Sequence, residues 1–84
     1  MMNPMPAPLY MTRLDPSRNM ARFYALSLEP TLFGEVCLIR NWGRIGKRGQ
    51  MRTETFDHPE AASAAFEHLQ IQKLRKGYSP QKMI

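Results

Sequence analysis

The chain has 84 residues, 43% of them apolar, and a formal net charge of +5 from twelve Lys and Arg against seven Asp and Glu. This length allows one domain, with little room for an enclosed catalytic pocket, because so small a domain buries only roughly 60–65% of its unfolded surface. The apolar content excludes a disordered tail, no run reaches the ~18–20 apolar residues of a membrane span, and one cysteine, Cys37, can neither close an internal disulfide nor hold a metal alone.

Residues 1–8 carry Pro4, Pro6 and Pro8 with three methionines, which predicts a loose or extended N-terminal arm. Residues 1–11 lack a positive n-region and a long apolar stretch, so no secretory signal is expected and the cytoplasm is the expected compartment. Residues 9–14 suit a short strand, and Asp15-Pro16-Ser17 a turn. Residues 22–28 predict a strand with Tyr24, Leu26 and Leu28 on one face, stopped by Glu29-Pro30. Residues 35–45 form a longer β segment. Its apolar run Val36-Cys37-Leu38-Ile39 predicts burial on both faces, with Cys37 as a small buried hydrophobe.

A glycine-bearing turn over residues 46–49 leads into a returning strand over residues 50–56. Asp57 then serves as a predicted N-cap with Glu60 three residues on and Pro59 in the first turn. Residues 60–76 are rich in helix formers, Gly77 supplies a stop, and Ala62, Ala65, Phe66 and Leu69 share the face expected to pack on the sheet. The expected fold is α+β: a small antiparallel sheet of about four strands with one C-terminal helix packed on it, forming a single domain over residues 9–84.

Five of the basic residues, Arg40, Arg44, Lys47, Arg48 and Arg52, lie between positions 40 and 52 around the sole tryptophan, Trp42. Strand alternation puts Arg40, Trp42 and Arg44 on one face unless a bulge intervenes, at intervals of roughly 6.5–7 Å that match neighbouring phosphates on one nucleic-acid strand. Guanidiniums pair with phosphate oxygens, and an indole stacks on an exposed base or lies against a sugar. Gly43 leaves room for close approach, and Lys47 and Arg48 at the hairpin tip can reach a further phosphate. The same pattern fits Trp42 in the core with the arginines on a solvated sheet face, or an internal cation–π stack.

Gly43, Gly46 and Gly49 precede a strand and not a helix N-terminus, which excludes a phosphate cradle and leaves turn geometry and close packing. Lys73 falls on the apolar helix face, where it either snorkels to the sheet edge or meets an anion. His58 and His68 have no Cys or acidic neighbours at metal spacing, and no nucleophile–base arrangement is present, so neither a metal nor an enzyme is expected.

Trp42-Gly43-Arg44-Ile45-Gly46, followed by Gly49-Gln50, resembles the WGR domain, a family named for its Trp-Gly-Arg. The likeness extends from Arg22 to Tyr78 through Phe23-Tyr24-Ala25-Leu26, Phe33-Gly34, Arg40-Asn41, Phe66, Leu69, Lys73 and Gly77-Tyr78. WGR domains occur in DNA-damage-dependent poly(ADP-ribose) polymerases and in bacterial proteins, as a β-sheet with a helix packed on it. In the polymerases they bind DNA at breaks and contact neighbouring domains. The resemblance implies that Trp42 packs against a terminal nucleotide, that Arg44 sits at the DNA junction, and that Arg22 lies near the backbone. The sequence lacks the polymerases' catalytic and regulatory domains, so ADP-ribosyl transfer is not implied. The expected function is a non-enzymatic nucleic-acid-binding module favouring DNA ends or nicks, through Trp42, Arg44, Arg40, Gly43, Lys47, Arg48, Arg22 and Lys73. The alternative is a protein-interaction module docking an acidic partner or regulating a separate enzyme. No cofactor or membrane is expected.

Overall fold

The computed structural model describes residues 5–81. The elements run in the order β1 (Leu9–Asp15), a 3-10 turn (Pro16–Arg18), β2 (Met20–Pro30), β3 (Val36–Arg44), β4 (Gln50–Phe56), α1 (Pro59–Arg75) and β5 (Ser79–Pro80). All strand pairs are antiparallel, in the order β4-β3-β2-β1-β5. The α+β architecture is as expected, with β5 added. Two residues long and containing Pro80, β5 has no alternation to read, and it forms because Met11 and Thr12 of β1 offer an open edge to the returning chain.

One face of the sheet meets the helix. Met11, Tyr24, Leu26, Leu28, Val36 and Leu38 project from it and join Ala62 and Phe66 of α1 in the core. Leu26 and Leu38 are each 1% exposed, and burial of each contributes ~1.5–3 kcal/mol against an exposed reference. Ala65 and Leu69 pack at its margin, as the helical spacing predicts. The other face carries Tyr10, Phe23, Ala25, Ser27, Ile39, Asn41 and Met51. Among the described residues no helix covers it. The run from Val36 to Ile39 is therefore buried on one face only: Val36 and Leu38 are in the core, while Cys37 and Ile39 are half-buried on the open side. The Cys37 thiol lies 3.6 Å from the Thr55 hydroxyl.

Two further expectations are corrected. Strand β2 runs on to Pro30, which pairs with Val36. Ile45 N–H donates to the Ala21 carbonyl at 2.8 Å, so by ladder alternation the odd residues of β2 bond to β3 and the even ones face β1. Strand β1 pairs no further than Leu26. The missing N–H of Pro30 thus falls where the ladder has no strand, a position a sheet tolerates. The helix N-cap is His58, extended at φ −128° and ψ 134°, and not Asp57. Pro59 disfavours helical backbone in the residue before it, so the helix cannot start a residue earlier with His58 inside it. Asp57 is left outside, and no side chain caps the helix.

The C-terminus of α1 ends as Gly77 predicts. Gly77 N–H donates to the Leu74 carbonyl and Tyr78 N–H to the Lys73 carbonyl, both at 3.1 Å, with Gly77 at φ 96°. This is a Schellman closure, and it turns Tyr78 back under Lys73. Of the N-terminal arm, residues 1–4 lie outside the described residues. Residues 5–8 have no regular secondary structure, and Met5 packs at the core margin.

Candidate nucleic-acid interface

The β2–β3 register is continuous from Arg22↔Arg44 to Pro30↔Val36. No bulge interrupts it, so Arg40, Trp42 and Arg44 share one face. That face is the helix-covered one, where α1 has nearly ended. Arg40 and Trp42 therefore form the floor of a groove whose other wall is the last turns of the helix, while Arg44 lies beyond it at the exposed end of β3. Tyr24, Arg40, Trp42, Arg52, Leu69, Gln72 and Lys73 line a cleft of about 240 Å³.

Cross-strand pairing orders the floor. Tyr24 faces Trp42, with ring centroids 6.3 Å apart and an interplanar angle of 27°. On one side of this aromatic pair Arg22 stands opposite Arg44, and on the other Arg40 stands opposite Arg52. Like charges directly opposite are destabilising in a sheet unless something compensates them. Among the described residues the only salt bridge is Arg18–Asp15 at 3.6 Å, in the β1–β2 turn, so no carboxylate compensates these pairs. Arg40 Nε is buried without an acceptor among the described residues.

Lys73 reaches over this floor. Its Nζ lies 4.5 Å from the Tyr24 ring centroid and 5.6 Å from that of Tyr78. Burial, then the charges of Lys76, Arg40 and Arg22, hold its pKa below the ordinary 10.5. The Arg40 guanidinium lies 5.7 Å from the Trp42 ring centroid. Each aromatic ring thus presents a face to a cation, and Trp42 also packs at the margin of the core. The core and ligand readings of Trp42 are not exclusive: one part of a half-buried indole anchors it, and the rest lines the cleft.

Arg44 is exposed but oriented. Its Nη1 donates to the Asn19 carbonyl at 3.0 Å and its Nη2 to Asn19 Oδ1 at 3.3 Å. Asn19 sits at φ 53° in the β1–β2 turn, a left-handed conformation that Asn tolerates. A neutral amide fixes the guanidinium without cancelling its charge.

Of the residues singled out from the sequence, the fold brings together Arg22, Arg40, Trp42, Arg44 and Lys73. Arg22 and Arg44 stand exposed beside the cleft without lining it, and Lys47 and Arg48 are exposed farther out in the β3–β4 turn. Gly43 serves the close packing that its spacing from Gly46 and Gly49 suggests, and not the close approach of a ligand. A Cβ there would meet Gly49 Cα at 2.7 Å, and one on Gly49 would strike the Trp42 carbonyl oxygen and reach Phe23 Cζ at 2.9 Å. The space beside Gly43 is filled by the chain's own turn on the open face, and not kept for a ligand. Arg52, part of the basic cluster around Trp42, and Tyr24, Tyr78, Gln72 and Asn19 lie beside these residues without having been among the expected binding residues. Pairing Trp42 with Gln50 across the turn places Arg52 opposite Arg40, so hairpin register was the available signal for Arg52.

The family model of the WGR domain matches residues 7–83. The chain belongs to the WGR domain family. A relative, an uncharacterized protein (y4dW) of Sinorhizobium fredii, is 56% identical over 75 residues, covering 89% of this chain and 37% of its own length. A crystal structure of a Bacteroides fragilis protein superposes with a TM-score of 0.77 at 22% identity, over 90% of this chain and 20% of that one. The second likeness concerns the fold alone. This WGR domain therefore spans well under half the length of either protein. Membership supports a nucleic-acid-binding module in general. No helix among the described residues is long and apolar enough to cross a membrane, and no group of three or more His, Cys, Asp or Glu there could hold a metal ion.

Proposed function

We propose that this WGR domain binds DNA without catalysing a reaction, at ends or nicks in preference to continuous duplex, by seating a terminal nucleotide in the cleft. Two like-charge pairs carry this reading. Arg22/Arg44 and Arg40/Arg52 flank the Tyr24/Trp42 pair, so strand phosphates drawn to the two pairs relieve both repulsions while the sugar or base of the terminal nucleotide meets Trp42. Lys73 closes over the same nucleotide from the helix. Arg44, held by Asn19, keeps further N–H groups for a phosphate, and Lys47 and Arg48 extend the positive surface beyond the strand end.

Continuous duplex fits this cleft poorly. Its bases are stacked and paired, and the aromatic floor lies recessed between strand and helix, where only a nucleotide freed at an end or break can enter. Binding is expected to be salt-dependent. With three to five phosphates neutralised, log K should fall against log salt with a slope of about −2.7 to −4.5. Arg44→Ala should reduce that slope by about one and weaken binding to all sequences alike. A slope near zero at low salt would remove phosphate contact from the mechanism.

The lowered pKa of Lys73 gives a second expectation. A phosphate is met by the protonated amine, which is lost at lower pH than in a free lysine, whose value is 10.5. As pH rises toward that value, affinity should drop earlier for the native chain than for Lys73→Arg, which keeps its charge throughout. Identical pH profiles would show that Lys73 does not touch the ligand.

A further inference from the structure

Strand β4 is one edge of the sheet. Among the described residues nothing pairs with its outer side, and all of it but Phe56 is exposed. The bond from Ile45 N–H to the Ala21 carbonyl fixes which of its main-chain groups are free. Residue 45 of the β3 chain bonds toward β2, so alternation turns residues 38, 40, 42 and 44 toward β4. In the β3–β4 register their partners Glu54, Arg52 and Gln50 bond inward. Met51, Thr53 and Thr55 are left with N–H and C=O groups facing outward.

We infer that this edge pairs with the same edge of a second copy of the chain, antiparallel about a two-fold axis through Thr53. In that register Thr53 exchanges both main-chain hydrogen bonds with its counterpart, and Met51 does so with Thr55 of the second copy. Arg52 comes directly opposite Glu54 of the second copy, and Glu54 opposite its Arg52. These are non-hydrogen-bonded positions, where facing side chains approach most closely. The segment Arg52-Thr53-Glu54 is thus self-complementary in charge, as a two-fold interface requires. An edge merely blunted by charge needs no such matching of opposite signs about one residue.

The alternatives within the strand are worse. An axis through Arg52 or through Glu54 sets like charges against each other. Arg52 also lines the aromatic cleft, so Glu54 of the second copy would draw on the same guanidinium as an anion bound there. The pairing stands independently of what that cleft binds.

Sedimentation equilibrium of the full chain over a concentration series, in low salt, tests the pairing. The native chain should show a reversible monomer–dimer equilibrium. Glu54→Arg should weaken it about tenfold or more by setting arginine against arginine twice, and Arg52→Glu combined with Glu54→Arg should restore it. Thr53→Pro removes an N–H that bonds nothing within the monomer and should abolish the dimer, with far-UV circular dichroism checking that the fold is kept. Monomer mass at all concentrations up to about 1 mM, a weak-dimer limit of about 4 kcal/mol, would overturn the inference. So would a dimer indifferent to Glu54→Arg, or one that the charge swap fails to restore.

Discussion

Trp42→Ala is expected to weaken binding to a short blunt duplex by about tenfold to a hundredfold, the equivalent of the ~1–3 kcal/mol that stacking or sugar packing on one aromatic side chain contributes. The indole faces Tyr24 across the strands and lies beneath Arg40, so truncation removes the flat floor of the cleft and a cation's resting surface together. Part of Trp42 also packs at the core margin, and the substitution will lower stability as well. Trp42→Leu separates the two effects, because it keeps apolar contact with the core and loses the flat face. Anisotropy of a labelled duplex should show both variants impaired, with Leu the more stable. Affinity within twofold of the native chain in both would remove the indole from the interface.

Gly49→Ala is expected to cost about 2–4 kcal/mol of stability, combining a left-handed backbone with overpacking. Gly49 sits at φ 75°, and an added Cβ would strike the Trp42 carbonyl oxygen and crowd Phe23. Neither neighbour can yield cheaply, since one is main chain in a paired strand and the other is a buried ring stacked on Tyr10. For a domain of this size the loss corresponds to a fall in Tm of about 10–25 °C. Gly46→Ala provides the comparison. At φ 89° Gly46 is also left-handed, but a Cβ there meets nothing within 4 Å, so it should cost only about 1–2 kcal/mol. Equal losses at the two positions would mean that the close approach of the turn to Trp42 is unimportant. The glycines of the Trp-Gly-Arg region thus position the tryptophan by letting two stretches of backbone touch.

Alternation and capping signals made much of this legible in the sequence. Alternation placed Tyr24, Leu26 and Leu28 on the core face and Arg40, Trp42 and Arg44 in a row. The Gly77 stop was legible because a single residue type satisfies that backbone. The features that escaped depend on partners distant in the chain. Alternation gives two faces but does not say which one the helix covers, so Arg40 and Trp42 read as part of an open surface and not as the floor of a cleft. Pairing Arg22 with Arg44 needed the β2–β3 register, which a five-residue loop over residues 31–35 does not announce. Thr31 fixes that loop, its hydroxyl accepting from Phe33 and Glu35 N–H at 3.2 Å. Tyr78 entered the site only through the Schellman turn, and Asn19 only through its bond to Arg44. His58 displaced Asp57 as N-cap because a proline one residue later outweighs a better capping side chain.

DNA-end recognition by the cleft is tested most directly by the fluorescence of Trp42, the sole tryptophan. The chain should be titrated at low salt with a short blunt duplex and, separately, with an equal mass of covalently closed circular DNA. Saturable quenching by the duplex, with little change from the circle, is the expected result. Equal quenching by both would contradict the preference for ends, and no change with either would contradict DNA as the ligand of the cleft and direct the search to an acidic protein.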